Sequence, residues 1–232
     1  MSVKVLVTGG NCKNKGAQSM LFVTIDEIRK RIPDCEVYFG CSVGDPKFSD
    51  VHFKQICYSR EARYIALGRQ VILNVLIAVA KAVVYFVFGK RSNLLNFFDA
   101  KRYVSSMDLI VDVSGFALGD KWSRRINESF LNTIRLAKRY QIPIFIMPQS
   151  FGPFQFPSGL EDIKEQITDL MPYPERIFAR EKEGYELLTK DFGLTNVVYS
   201  SDLVLQNTGV DTGNIYRKPP VLSLPEISTN HN

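Results

Sequence analysis

Short apolar runs and helix-period segments take turns along this chain, and that alternation limits the fold more than any other feature. Residues 3–8 are a β-branched run that ends at Gly9-Gly10. A helical pattern follows, with Ala17, Leu21, Ile25, Ile28 and Ile32 on one face and Gln18, Asp26, Glu27, Arg29 and Lys30 off it, until Pro33 stops it. Strands are expected at 35–41, more weakly at 53–57, and at 108–113, before Ser114-Gly115. The next helix puts Ile126, Phe130, Ile134 and Ala137 on one face, and residues 143–147 are then almost continuously apolar. Such a run suits a strand covered on both faces, as in a parallel sheet. A helix at 161–171, a strand at 176–179, a helix at 181–192 stopped by Gly193 and a strand at 196–199 complete the series. A βαβα series implies a doubly wound, mostly parallel α/β sheet. From about Gln206 the series gives way to turn chemistry, so the expected organisation is one domain over 1–205 and a linker or tail over 206–232.

Composition narrows the chemistry. The 232 residues hold two histidines, His52 and His231, so a Ser-His-Asp triad or a His-rich metal site would have to rest on His52. No metal site is expected. The four cysteines, Cys12, Cys35, Cys41 and Cys57, form no CxxC pair. Met1 leads straight into the first strand with no signal peptide, so the expectation is four free thiols in a cytoplasmic setting. A net charge of +5 favours anionic partners mildly, and no nucleic-acid partner is expected.

Residues 65–88 are apolar enough to attract attention, with Arg60 and Arg63 before them and Lys90 and Arg91 after. A single membrane crossing would put strands of one sheet on opposite sides of a bilayer, and Lys81 near the middle would cost roughly 2.5–3.5 kcal/mol. Two readings remain: an interfacial helix at the inner face of a membrane, giving peripheral contact with anionic lipid, or a buried or partner-docking helix.

Loops that follow strand carboxyl ends are where doubly wound sheets hold ligands. The first, residues 9–17, carries Asn11, Lys13, Lys15 and Gly16, and the helix that starts there offers N–H groups suited to an anion. It matches neither GxGxxG nor the P-loop pattern, and a ligand-free turn is the alternative. Gly115 sits in the second loop. Gln149, Ser150 and Gly152 form the third, where neutral groups suit hydroxyls or phosphate oxygens. Arg180 is a fixed bidentate cation, whose alternative is an ion pair with Glu181 or Glu183. Ser200, Ser201 and Asp202 form a cap or a hydroxyl acceptor.

Taken in order, Gly16-Ala17-Gln18-Ser19-Met20, the run from Asp108 to Gly115, Pro148-Gln149-Ser150-Phe151-Gly152-Pro153-Phe154, Phe178-Ala179-Arg180-Glu181 and Ser201-Asp202-Leu203-Val204-Leu205 resemble the polysaccharide pyruvyl transferase family. The resemblance implies a Rossmann-like sheet equivalent to one half of a GT-B-type two-domain fold. It implies phosphoenolpyruvate as donor substrate, no other cofactor, and a sugar or glycan of a cell-surface polysaccharide as acceptor. Asn11, Lys15, Gly16, Gly115, Gln149, Ser150, Gly152, Arg180 and Asp202 are the candidate donor or substrate contacts, and no catalytic residue is assigned. The sequence departs from the family where Ser114-Gly115-Phe116 replaces a glycine run, and where Glu181 and Gly184-Tyr185 replace the usual Asp and Ser. The expectation from the resemblance is that the family's second domain is missing from this chain. The alternative expectation is therefore a catalytically silent, truncated module that binds sugar or phosphate.

Overall fold

The apolar runs do pair into one parallel sheet. A computed structural model describes residues 2–10, 14–42, 47–49, 51–58, 75–76, 79 and 103–217. Strand β1 (Lys4–Thr8) leads through helix α1 (Lys15–Arg31) to β2 (Glu36–Ser42) and β3 (Lys54–Tyr58). The second half runs β4 (Leu109–Asp112), α2 (Arg124–Tyr140), β5 (Ile144–Gln149), α3 (Asp162–Leu170), β6 (Arg176–Ala179), α4 (Lys182–Glu186), β7 (Val197–Tyr199) and α5 (Leu203–Gln206). The sheet order is β3-β2-β1-β4-β5-β6-β7, with every neighbour parallel. The order reverses between β1 and β4, and loops leaving the carboxyl ends on either side of that point frame a crevice.

Alternation along each strand divides the core in two. Val5 and Val7 of β1 pack with Leu21 and Ile25 of α1, and with Val37 and Phe39 of β2, on one face. Leu6 points the other way, into a cluster with Ile110, Ile144, Ile146, Phe130, Ile134, Ile163 and Ile167. Most of these side chains are fully buried, each contributing about 1.5–3 kcal/mol. The predicted α2 stripe is present in Phe130, Ile134 and Ala137. Ile126 is the exception: it lies in the first turn of the helix and stays exposed.

Three further readings are corrected. The segment 181–192 is not one α-helix: after Glu186 it widens into a π-helical turn, Leu187–Asp191, ending at Gly193 in the left-handed region. Asp26 is not on an exposed face: it is buried. The reason is distant in sequence, because residues 207–216 cross over α1 as a strap. Asn214 Nδ2 donates to Asp26 Oδ1 at 2.7 Å and the Asp211 amide donates to Oδ2 at 3.2 Å. Ile215 is buried in the α1-side core, and Tyr216 packs edge-on against Phe22. Finally, Cys35 is a free buried thiol, but Cys41 is disulfide-bonded, with its other half outside the described side chains.

Of segment 65–88 only Val75, Leu76 and Val79 are described, all helical and exposed, so its membrane reading lies outside the described residues. Among the described residues no helix is long and apolar enough to cross a membrane.

Candidate functional site at the carboxyl edge of the sheet

At the switch point, β1 and β4 are pinned together by a buried carboxylate. Asp112 Oδ2 accepts from Thr8 Oγ1 at 2.9 Å, and Oδ1 accepts from the Ser114 amide at 3.0 Å. Gly9 makes this possible: it has φ +79°, and a Cβ there would stand 2.2 Å from Ser114 Oγ. Asp112 was not among the sequence-derived site residues. Its one signal is a charge at the end of an otherwise apolar strand, Leu109–Asp112.

The loop after β4 is fastened from below. Asn127, buried in α2, accepts from the Gly119 amide and donates to the Gly119 and Trp122 carbonyls at 3.0–3.1 Å. That loop in turn holds the next one: the Ser150 amide donates to the Gly115 carbonyl at 2.9 Å, and the Gly152 amide to the Leu118 carbonyl at 3.0 Å. Gly115 and Gly152 thus act here through their backbones.

The β5, β6 and β7 ends converge on one network. The Arg180 amide donates to the Gln149 carbonyl at 3.0 Å, extending the ladder past β6. Its Nε donates to Glu181 Oε1 at 2.8 Å, Nη1 to Asp202 Oδ2 at 3.0 Å and Nη2 to Ser150 Oγ at 2.6 Å. Ser150 Oγ donates on to Glu181 Oε1 at 2.8 Å. Asp202 is fixed by its second role as the cap of α5, Oδ1 accepting from the Val204 amide at 2.8 Å. The Arg180 side chain keeps 30% of its surface exposed. Burial works against its charge, but the bonds to Glu181 and Asp202 outweigh that and raise the guanidinium's pKa. A guanidinium has five N–H donors; three are engaged, which leaves one on each terminal nitrogen.

Ser150, Arg180 and Asp202 therefore meet, and Glu181, whose ion-pair role the sequence favours, is a full member of the network. Gln149 lies beside it in sequence but is fully buried, and neither its amide oxygen nor its nitrogen has a protein partner. An unpaired buried polar group costs about 1–3 kcal/mol.

The amino end of α1 stands apart. Asn14 caps it, its side chain accepting from the Gly16 amide at 2.9 Å and the Ala17 amide at 3.3 Å, so these two N–H groups are not free for an anion. Lys15 Nζ donates to Gln18 Oε1 at 3.4 Å. Asn11 lies outside the described residues. Among the described residues no group of three or more His, Cys, Asp or Glu side chains is placed to hold a metal ion.

A parallel, doubly wound sheet with polar loops gathered at its carboxyl edge defines a Rossmann-like α/β protein. The model of the family described as polysaccharide pyruvyl transferase matches residues 14–226, and the chain belongs to that family. A search of curated proteins finds no match.

Proposed function

We propose that the carboxyl-edge network receives phosphoenolpyruvate and a sugar diol, and that the chain serves the transfer of a pyruvyl group to a glycan. The observation that carries this reading is the convergence of Ser150, Arg180, Glu181 and Asp202 at the ends of β5, β6 and β7, in a chain of the pyruvyl transferase family. In the reaction one sugar oxygen bonds to C2 of the enolpyruvate while C3 gains a proton. The second sugar oxygen then displaces phosphate from C2, and its proton leaves with the phosphate. An acid must deliver the proton to C3 and the first hydroxyl must give up its own; beside that proton transfer, the network's contribution is positioning and charge stabilisation.

Arg180 suits this role because its two uncommitted N–H groups can donate to a carboxylate or phosphate, charge-assisted and directional. An anion that reaches it competes with Glu181 and Asp202, which makes the guanidinium's fork more important than its charge alone. Calorimetric titration with phosphoenolpyruvate tests the reading. The expected result is saturable binding that weakens at least tenfold in Arg180→Lys, about 1.4 kcal/mol, because a lysine cannot reproduce the fork. No heat in the parent chain, or equal affinity in the variant, contradicts it. Binding of a sugar in a parent that ignores phosphoenolpyruvate would point instead to a silent glycan-binding module.

A further inference from the structure

A cavity of about 540 Å³ lies on the α1 face of the sheet, and none of Ser150, Arg180, Glu181 and Asp202 lines it. Its floor is apolar: Leu109 and Val111 of β4, Phe145 and Met147 of β5, and Phe178 of β6. Alternation puts all five on this face, because their strand neighbours Ile110, Ile144, Ile146 and Ile177 belong to the core cluster on the other side. A parallel sheet is ordinarily covered on both faces, yet Leu109, Phe145, Met147 and Phe178 keep part of their surface exposed.

Two walls rise from that floor. Val23 and Ile28 of α1 form one, and Leu203 of α5 with the residues that follow it forms the other. The walls are tied together: Asn207 Nδ2 donates to Glu27 Oε1 at 3.5 Å, and both residues border the cavity. The strap that Asp26 anchors continues from Asn207, so the buried carboxylate also holds this wall in place. A helix, about 10–12 Å across with its side chains, cannot lie between walls joined in this way. The volume falls within the range of small-molecule sites, about 300–1,000 Å³.

We propose that this cavity takes the single aliphatic chain of a small amphiphile. Such a site works whether or not the Arg180 network receives phosphoenolpyruvate. The floor residues follow the strands in parallel rows about 4.8 Å apart, which makes a trough for a slim extended chain. From Phe145 to Pro148, both of which line it, the trough runs about 10 Å, the reach of an octyl chain. Sugars and nucleotides need polar groups that converge on them, and the floor offers none. Glu27, Gln206, Asn207 and Thr208 belong to the walls, and all four keep part of their surface in water. The polar head of the amphiphile stays at that rim.

Calorimetric titration of the full chain with 1-hexanol, 1-octanol, 1-decanol and 1-dodecanol tests this. Affinity should rise about fourfold per added methylene and level off once the chain outruns the trough, between octanol and dodecanol. Leu203→Trp, which pushes a larger side chain in from the wall, should weaken octanol at least tenfold without lowering the melting temperature. Leu205→Trp, on the same helix but 82% exposed and outside the cavity lining, should change it less than twofold. Phosphatidylcholine vesicles, whose chains are held in a bilayer, should not compete with octanol. No heat with any alkanol, a gain that continues undiminished to dodecanol, or equal weakening by the two tryptophan variants overturns the proposal. So does a concentration-dependent dimer that Leu203→Trp dissociates in sedimentation while no alkanol binds, which would make the cavity an interface between copies. Should Leu203→Trp fail to fold, the chain-length series in the parent decides alone.

Discussion

Two clusters of charge in this molecule use the same chemistry in opposite ways. Around Asp26 the carboxylate is fully buried and both oxygens are engaged: Asn214 donates to one, and Lys30 and the Asp211 amide to the other. The partners come from its own helix and from the strap that crosses it, so the cluster is closed and its product is a fixed chain path. Around Arg180 the guanidinium is partly exposed, is bonded to the ends of two other strands, and keeps donors in reserve. The first lies on the flank of the sheet, the second at its carboxyl edge. The difference teaches that an ion network is read by its closure and its place in the fold: a sealed one holds structure together, and a half-open one at a sheet's carboxyl edge has capacity left for a ligand.

That contrast can be broken by substitution. The largest expected effect is at the closed cluster. Asp26→Ala leaves the Asn214 amide and the Asp211 N–H without an acceptor, and should cost about 3 kcal/mol, lowering the melting temperature by about 6–12 °C. Phosphoenolpyruvate affinity should not follow. Thermal melts against pH give a second test. Burial pushes the Asp26 carboxyl up, but bonds from Asn214, Lys30 and the Asp211 amide outweigh it and hold its pKa below the ordinary value. The unfolded chain therefore takes up the proton first as pH falls. The stability Asp26 supplies is full above about pH 4 and is lost through its lower folded value. Asp26→Asn should flatten the acid side of the stability curve; an acid limb identical to the parent's contradicts the latch. The smallest change in stability is expected at the open cluster. Its partly exposed pairs are worth about 0–1 kcal/mol, so Arg180→Lys should lower the melting temperature by no more than about 4 °C.

Most of the fold was legible because its signals are local. The apolar run at 143–147 became β5, residues 176–179 became β6, and the stop at Pro33 ended α1. What local pattern could not show was contact across the chain. Asp26 reads as a polar helix position until residues 207–216, themselves unremarkable turn chemistry, are laid over it. The site divides in the same way. Ser150, Arg180 and Asp202 were visible because each follows a strand, and the sheet brings those ends together. Asp112 was hidden because its partner, Thr8, lies across the switch point. The free amino end expected for α1 failed for a local reason that could have been read, since Asn14 is a good capping residue two positions before Gly16.

The central claim is that ligand capacity lies in the Arg180 cluster and not in the Asp26 cluster. Thermal melts of the parent, Asp26→Ala and Arg180→Lys, each with and without phosphoenolpyruvate, test it most directly. A ligand at a hundred times its Kd stabilises the folded state by about 2.7 kcal/mol, a rise of roughly 5–10 °C for a chain of this length. The account predicts that rise in the parent, the same rise from a lower starting point in Asp26→Ala, and no more than about half of it in Arg180→Lys. No rise in the parent, or a rise in Arg180→Lys as large as the parent's, contradicts it.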